Sequence, residues 1–273
     1  MPIIGDDNWQ QFAVDTVIDG EVKTRGLVPN DWEQNPAGSF GTPFNIPLIP
    51  ESEWRERIEH QERTRSSLVH LADDAGLKVL DQNGTNYCWI NGTIRAMELF
   101  RLANGMPTVK LSPASVGAPI KGYQNEGGWG IEGLRYLTQY GAVPVSMWPA
   151  NAIDRRYDTA ESKAIRGQFM VKEWFELPAR SFEALATCLL LNIPVSAGYN
   201  WWGHQICCVR LVVQANGDFG AEIDNSWGTS WGTNGRGILT RSKATPDDVA
   251  VAPRSVTPSS YVDGAGSTQG DWT

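Results

Sequence analysis

The 273-residue chain is poor in cysteine and histidine and has no long apolar run. Its four cysteines form no CxxC pair and its histidines number only three, so neither a disulfide framework nor a structural zinc site is expected. The longest apolar stretches, 184–191 and 206–213, are much shorter than the roughly 20 residues that span a bilayer. We therefore expect no membrane span, and the cysteine pattern favours a reducing compartment.

Positive charge is also scarce. Lys plus Arg number 23 against 31 for Asp plus Glu, which gives a net charge of −8. An acidic chain lacks the basic surface that non-specific nucleic-acid binding requires, so nucleic acid is not an expected partner. Residues 1–7 include neither a basic nor a long apolar segment. We expect no signal peptide, and a location in the cytoplasm or within a virion or other assembly.

The predicted elements divide the chain into a helical front half and a β-rich back half. Apolar residues at helical spacing predict helices, and apolar runs between Gly and Asn turns predict strands. The helices are expected at 51–76, 88–102, 129–140 and 180–192, and the strands at 195–199, 205–214, 220–224 and 237–240. This order is typical of an α+β fold rather than of alternating βαβ units.

The domain boundaries follow from composition. Residues 1–50, rich in Pro, Asn, Gly and Asp, predict an extended N-terminal arm that contains a strand at 12–22. One domain is expected over 51–240, with a helical lobe at about 76–150 and a β lobe at about 165–240. Residues 241–273, rich in Pro, Ser, Thr and Gly, predict a flexible C-terminal tail.

Separated segments carry residues that could act together on an acyl group. Cys88 follows a polar loop and opens a predicted helix, whose positive end favours the thiolate. A nucleophilic cysteine needs a base and a group that orients the base. His204, the only histidine of the β-rich half, and Asn225 can fill these roles. Gln82, six residues before Cys88, could donate its amide to an oxyanion beside the Cys88 backbone N–H.

In the order and spacing of these residues, the chain resembles the papain-like cysteine peptidases, the family of papain and the cathepsins. The resemblance covers about residues 78–240, and the run 225–235 fits the family signature NSWGxxWGxxG. It implies a two-lobed fold with the nucleophile in the helical lobe and the histidine and asparagine in a β-barrel-like lobe. It also implies four catalytic residues, namely Gln82, Cys88, His204 and Asn225.

The resemblance further assigns supporting and substrate-binding residues. Trp89 resembles the tryptophan that follows the nucleophile, and Trp227 resembles the indole that shields the histidine–asparagine hydrogen bond from water. The segment 126–129 resembles one that pairs with extended substrate backbone. The residues assigned to substrate binding are Gly127, Gly128, Trp129 and Gly203.

The chain departs from the family pattern beside the nucleophile. Thr85 and Gln124 stand where the family usually has two cysteines that form a disulfide. Both ends of this bridge are missing together, which agrees with a non-secretory origin. Asn86 and Tyr87 replace the usual small residues before Cys88, and we expect them to narrow the first subsite.

The resemblance implies an endopeptidase that hydrolyses peptide bonds through a thioester on Cys88, with a peptide or protein substrate and no cofactor or metal. The N-terminal arm is expected to be autoinhibitory or a docking element. Two alternatives stay open. The chain could be an inactive or maturation-only part of a larger assembly such as a virus particle, with protein partners that order its terminal segments. It could also be a thiol amidase or transpeptidase acting on cell-wall or isopeptide bonds.

Overall fold

The computed structural model describes residues 1–36 and 41–262. Within them the helices are α1 Glu51–Thr64, α2 Leu68–Asp74, α3 Cys88–Ala103, α4 Ala114–Ile120, α5 Gly130–Gln139, α6 Ala160–Ile165 and α7 Phe182–Leu190. The strands are β1 Ile3–Ile4, β2 Thr16–Ile18, β3 Glu21–Lys23, β4 Thr42–Pro43, β5 Val171–Glu176, β6 Val195–Tyr199, β7 His204–Val213, β8 Phe219–Asp224, β9 Arg236–Thr240 and β10 Ala250–Val256. No helix in these two ranges is long and apolar enough to cross a membrane.

One mixed sheet connects the N-terminal arm to the C-terminal half. Among the described residues its strand order is β1-β9-β8-β7-β6-β10-β5-β4, and β2 and β3 form a separate hairpin. The centre is antiparallel, because β7 pairs with β6 and β8, and β8 pairs with β9. The two edges come from the arm, since β1 runs parallel to β9 and β4 runs parallel to β5.

Helix α3 lies between two apolar cores and packs on the sheet. Trp89 and Ile90 in its first turn belong to a core shared with α5, while β6, β7 and α7 enclose the second core. Gly92 allows the close approach to β7, because a Cβ there would lie 3.1 Å from the backbone of Ile206. This packing places the first residue of α3, Cys88, at the junction of the helical and β-rich parts.

The predictions for the central elements are confirmed. The predicted helix at 88–102 is α3, and those at 129–140 and 180–192 are α5 and α7. The four predicted strands are β6 to β9, with ends that differ by at most one residue. These segments have strong local patterns, which is why the sequence was sufficient to find them.

Two N-terminal predictions need correction. The predicted helix at 51–76 is two helices, because Arg65 takes a left-handed φ of 52° and the Ser67 side chain then caps α2. The predicted strand at 12–22 is the β2–β3 hairpin. Asp19 and Gly20 have positive φ of 52° and 82°, and two such residues form the turn that suits the twist of a hairpin.

The predicted flexible tail at 241–273 is wrong for residues 241–262, and the folded domain extends beyond residue 240. Strand β10 lies inside the sheet, where it pairs antiparallel with both β5 and β6. Val251 and Ala252 are buried, so this strand contributes to the core despite the polar composition around it. Residues 263–273 lie outside the described part of the chain.

Candidate active site

Cys88 begins α3 and is fully buried. Burial raises the pKa of its thiol to about 11, while backbone hydrogen bonds from Gln205, Gly26 and Trp89 oppose this rise. The donor in the arm is the Gly26 N–H, whose nitrogen lies 3.2 Å from the Cys88 Sγ. In this covered state the thiol is therefore protonated at neutral pH.

His204 begins β7 and is oriented by Asn225, which follows β8 directly. The His204 Nε2 lies 2.8 Å from the Asn225 Oδ1. Because an amide oxygen can only accept, Nε2 carries a proton and the ring presents Nδ1 as its acceptor. Nδ1 has no hydrogen-bond partner among the described residues. Burial also lowers the pKa of the imidazole to about 4, so the ring is neutral at pH 7.

The thiol and the imidazole belong to adjoining elements. The backbone of Gln205, the residue after His204, donates a hydrogen bond to the Cys88 thiol. The start of β7 therefore lies against the start of α3, and the free Nδ1 of His204 is the ring atom that could take a proton. The predicted pairing of Cys88, His204 and Asn225 thus joins three segments that are far apart in sequence.

Gln82 is fully buried beside Cys88 and is held from both sides of its amide. The Ser226 Oγ donates to the Gln82 Oε1 at 2.6 Å, which fixes the direction in which the amide nitrogen points. The Gln82 Nε2 donates to the backbone oxygens of Thr24, at 3.1 Å, and Thr85, at 2.6 Å. The group that would bind an oxyanion is thus engaged by a carbonyl of the arm.

Aromatic rings enclose the His204–Asn225 hydrogen bond. The centroid of Trp227 lies 4.9 Å from that of the His204 ring, and the centroid of Trp202 lies 5.1 Å from it. Trp201 stacks on Trp202 at a centroid distance of 5.2 Å. These fully or largely buried indoles exclude water from the hydrogen bond that orients the imidazole.

Comparisons with known proteins find similar solved structures but no similar sequence family. No family model matches the chain, and no curated protein matches it. Procathepsin B S9 from Trypanosoma congolense superposes with a TM-score of 0.61 and 16% identity, over 86% of each chain. Procathepsin L 3 from the larval midgut of Tenebrio molitor gives a TM-score of 0.60 and 20% identity, over 80% of this chain and 74% of that one. Xylellain, a cysteine protease from Xylella fastidiosa, gives 0.58 and 17%, over 87% and 99%.

The chain has the papain-like protease fold. The α+β architecture expected from the sequence is thereby confirmed, and its likeness to these structures, all of them papain-like cysteine proteases, is clear. At identities of 16–20% the likeness establishes the fold alone. What the site can do chemically has to be argued from its own residues.

In this papain-like fold, the N-terminal arm runs across the residues predicted to bind substrate. Gly128 N–H donates to the Gly26 oxygen at 2.8 Å, and Val28 N–H donates to the Gly128 oxygen at 2.9 Å. Leu27 N–H donates to the Gly203 oxygen at 3.3 Å. Two of the four residues assigned to substrate binding, Gly128 and Gly203, therefore bind a peptide backbone, although it is the chain's own.

The other two assigned residues border this contact. A Cβ at Gly127 would lie 2.7 Å from the Gly26 oxygen, so the absence of a side chain there lets the arm approach. Trp129 is half-buried and begins the turn into α5, where its backbone N–H donates to Glu132 at 3.3 Å. Trp89 supports the same loop from below, because a Cβ at Gly128 would lie 2.5 Å from its ring.

The arm is fastened on both sides of the thiol. The Lys23 Nζ is buried and lies 2.7 Å from Asp81, a residue of the loop before Cys88. The Arg25 Nη1 donates to the Trp202 oxygen at 3.2 Å, and the Asn30 N–H donates to Asp248 at 2.8 Å. Between these anchors the Gly26 N–H of the arm faces the Cys88 Sγ. A substrate would instead place the carbonyl carbon of its scissile bond there.

A buried ion pair lies behind the site and joins its two halves. Arg95, on the same helix as Cys88, donates from Nε to Asp224 at 2.7 Å. Asp224 directly precedes Asn225, and its other oxygen accepts from the Arg236 Nε at 2.9 Å. The pair therefore connects the helix that carries the nucleophile to the strand that leads into the orienting asparagine.

Sequence reasoning did not assign Ser226, Trp202 or Gly26 to the site. Ser226 lies inside the NSWG motif and Trp202 lies two residues before His204, so their proximity to assigned residues was an available signal. Gly26 has no such signal, because its position over the thiol depends on the path of the arm through the cleft.

Proposed function

We propose that this chain is a latent papain-like cysteine peptidase whose N-terminal arm covers its catalytic site. The observation that carries the proposal is the His204 Nε2–Asn225 Oδ1 hydrogen bond of 2.8 Å, which leaves Nδ1 free as a proton acceptor. A structural protein of this fold has no need of an imidazole held in that tautomer, or of a glutamine amide fixed by Ser226.

The proposed reaction is peptide-bond hydrolysis in two steps. His204 Nδ1 takes the proton of the Cys88 thiol, and the sulfur attacks the carbonyl carbon of the substrate. The Cys88 N–H and the Gln82 Nε2 donate to the oxyanion that forms. The imidazolium then gives its proton to the leaving amine, which leaves a thioester on Cys88. His204 next deprotonates a water molecule that attacks the thioester, and the acid product and the thiol are released.

The arm would keep this chemistry inactive in three ways. Its Gly26 N–H occupies the thiol, and its Thr24 carbonyl occupies the Gln82 amide. It also contributes to the burial that raises the pKa of Cys88 and lowers that of His204, so the two groups stay neutral. Displacing the arm would return water to both groups and bring their pKa values closer together, which favours the thiolate–imidazolium pair.

The test is covalent labelling of the full-length chain by an epoxysuccinyl thiol-protease reagent, followed by intact mass. Gly26→Ala should displace the arm, because its Cβ would lie 2.0 Å from the backbone oxygen of Asn86. We expect slow labelling of the wild type, fast labelling of G26A by one adduct, and none when Cys88→Ala or His204→Ala is added.

Gly167→Ala is the matched control, because no atom lies within 4 Å of a Cβ at that glycine. It should label as slowly as the wild type. If G26A keeps the circular dichroism of the wild type and its Cys88 reacts faster with a small general thiol reagent, which shows that the arm has moved, and it still gains no epoxysuccinyl adduct, the peptidase proposal is wrong. The non-catalytic alternative, a component of a larger assembly, would then be favoured.

A further inference from the structure

Two loops meet beside Cys88, and side-chain hydrogen bonds join them. One loop precedes α3 and contains Asn86, and the other precedes α5 and contains Asn125. Asn86 N–H donates to the Asn125 Oδ1 at 2.7 Å, and the Asn86 Nδ2 donates to the Asn125 backbone oxygen at 3.1 Å. The Asn125 Nδ2 donates to the Gly84 oxygen at 3.1 Å. We name these three hydrogen bonds the asparagine clasp.

The clasp lies beside the place where the sequence lacks a disulfide. Thr85 and Gln124, which stand at the positions of the family's two cysteines, are the immediate neighbours of Asn86 and Asn125. Tyr87 adds another link between the same loops, because its hydroxyl donates to the Gln124 oxygen at 2.7 Å. The two loops are thus held together without a covalent bond.

The clasped loops form a narrow slot around Gly26 of the arm. A Cβ at Gly26 would lie 2.0 Å from the Asn86 oxygen, and a Cβ at Gly127 would lie 2.7 Å from the Gly26 oxygen. The Asn86 oxygen is a backbone atom, which cannot rotate away as the end of a side chain can, and the lack of a side chain at Gly127 leaves room for the Gly26 backbone alone. The slot beside the Cys88 Sγ therefore admits the backbone of a glycine and leaves no room for a side chain.

A substrate has to pass through the same slot. Its backbone would pair with Gly128 as the arm does, and its reacting carbonyl must reach both the Cys88 Sγ and the Gln82 Nε2. The arm bonds to Gly128 and to Gln82, and Gly26 lies at the thiol between those two contacts. The substrate residue that carries the attacked carbonyl would lie at this place.

We propose that the asparagine clasp makes glycine the acyl-side residue of the substrate, so that the enzyme cuts peptide bonds that follow glycine. This inference rests on the proposed function, because only a reacting thiol has an acyl-side residue. The preference arises because larger residues are excluded, since their side chains would clash with the backbone of Asn86.

The test compares two peptidyl acyloxymethyl ketones that differ by one methyl group, with glycine or alanine next to the reactive carbon. Full-length G26A is incubated with each probe, and the formation of the Cys88 adduct is followed by intact mass. We expect the glycine probe to react at least about tenfold faster, because one methyl group is worth that much where the site cannot expand. Equal rates would overturn the proposal.

Variants of the clasp test its part in the preference. In the G26A background, Asn125→Ala removes the side-chain bonds to Asn86 and Gly84, and it should raise the rate of the alanine probe so that the two rates converge. Asn125→Asp keeps an acceptor for the Asn86 N–H and should give an intermediate ratio. The control is Gln124→Ala, which alters a neighbouring side chain outside the clasp and should keep the ratio of G26A.

The outcomes separate this inference from the proposed function. A ratio for N125A equal to that for Q124A, with both variants shown to be folded by thermal unfolding, would overturn the role of the clasp. Labelling by the epoxysuccinyl reagent, together with equal rates for the two peptide probes, would overturn the glycine preference and leave the peptidase proposal standing. Failure of every reagent to label Cys88 would overturn both.

Discussion

The side chains proposed to be catalytic and the arm that covers them are held in different ways. His204–Asn225, Ser226–Gln82 and Arg95–Asp224 are hydrogen bonds between fully buried partners. The ion pairs of the arm segment near the thiol reach solvent, since Asp81 is 40% exposed opposite Lys23, and Asp15, which pairs with Arg25 within the arm, is 53% exposed. Breaking a buried ion pair costs several kcal/mol, whereas an exposed pair contributes about 0–1 kcal/mol.

This difference suggests that the site stays assembled when the arm leaves. These bonds between buried side chains can persist without the arm, because all their partners lie outside residues 1–50. The arm is bound by backbone hydrogen bonds to Gly128 and Gly203 and by its partly exposed ion pairs. The following predictions test this contrast between a fixed site and a removable cover.

The largest effect on stability is expected when the buried ion pairs of Asp224 with Arg95 and Arg236 are broken. Asp224→Asn leaves Arg95 and Arg236 without their carboxylate and should lower the free energy of unfolding by about 3–5 kcal/mol. Urea unfolding followed by tryptophan fluorescence measures this change. A loss below about 1 kcal/mol would mean that this buried ion pair stabilises the fold no more than an exposed pair does.

Acidification should lower the free energy of unfolding, because it favours protonation of His204 in the unfolded chain. Burial holds the pKa of its imidazole at about 4, below the ordinary value of 6.5, so the unfolded chain binds this proton more readily than the folded one. The associated stability is complete above pH 6.5 and is lost as the pH falls towards 4, to a total of roughly 3 kcal/mol. Unfolding free energies of the wild type and His204→Gln should diverge in that window, and parallel curves would contradict the assignment.

A smaller effect is expected for the orientation of the oxyanion donor. Ser226→Ala removes the 2.6 Å hydrogen bond that fixes the Gln82 amide, and in G26A it should slow acylation of Cys88 by about tenfold. Gln82→Ala, which removes the donor itself, should slow acylation by about a hundredfold. Single-turnover labelling measures both rates, and equal effects of the two variants would mean that Ser226 does more than orient the amide.

Local signals made the centre of the fold and the candidate site residues visible in the sequence. Cys88 begins a helix with apolar residues at helical spacing, and His204 and Asn225 lie at the ends of β7 and β8, which have clear apolar runs. Such residues are placed by the element that contains them. The hydrogen bond between His204 and Asn225 agrees with the motif, and the catalytic roles of these residues stay predictions.

Elements fixed by distant contacts were not predictable. Strand β10 depends on its pairing with β5 and β6, and its polar surroundings hide its apolar residues. The break at Arg65 depends on a left-handed conformation that its residue type does not favour. Gly26 lies over the thiol only because β1, β4 and Lys23 direct the arm across the cleft. For β10 and Gly26 the deciding interactions join residues far apart in sequence, whereas the break at Arg65 is a local backbone conformation.

The smallest effect is expected at the exposed end of the arm. Asp15→Asn removes a pair within the arm, in which Arg25 is 26% exposed and Asp15 is 53% exposed and which helps to hold Arg25 against the Trp202 oxygen, so the labelling of Cys88 in the otherwise unchanged chain should accelerate by at most about fivefold. Lys23→Ala should accelerate labelling more, because the Lys23 side chain is only 3% exposed and bonds to both Asp81 and Asn83. If D15N labels as fast as G26A, the arm is held chiefly from its exposed side, and the backbone bonds to Gly128 and Gly203 contribute little to closing the site.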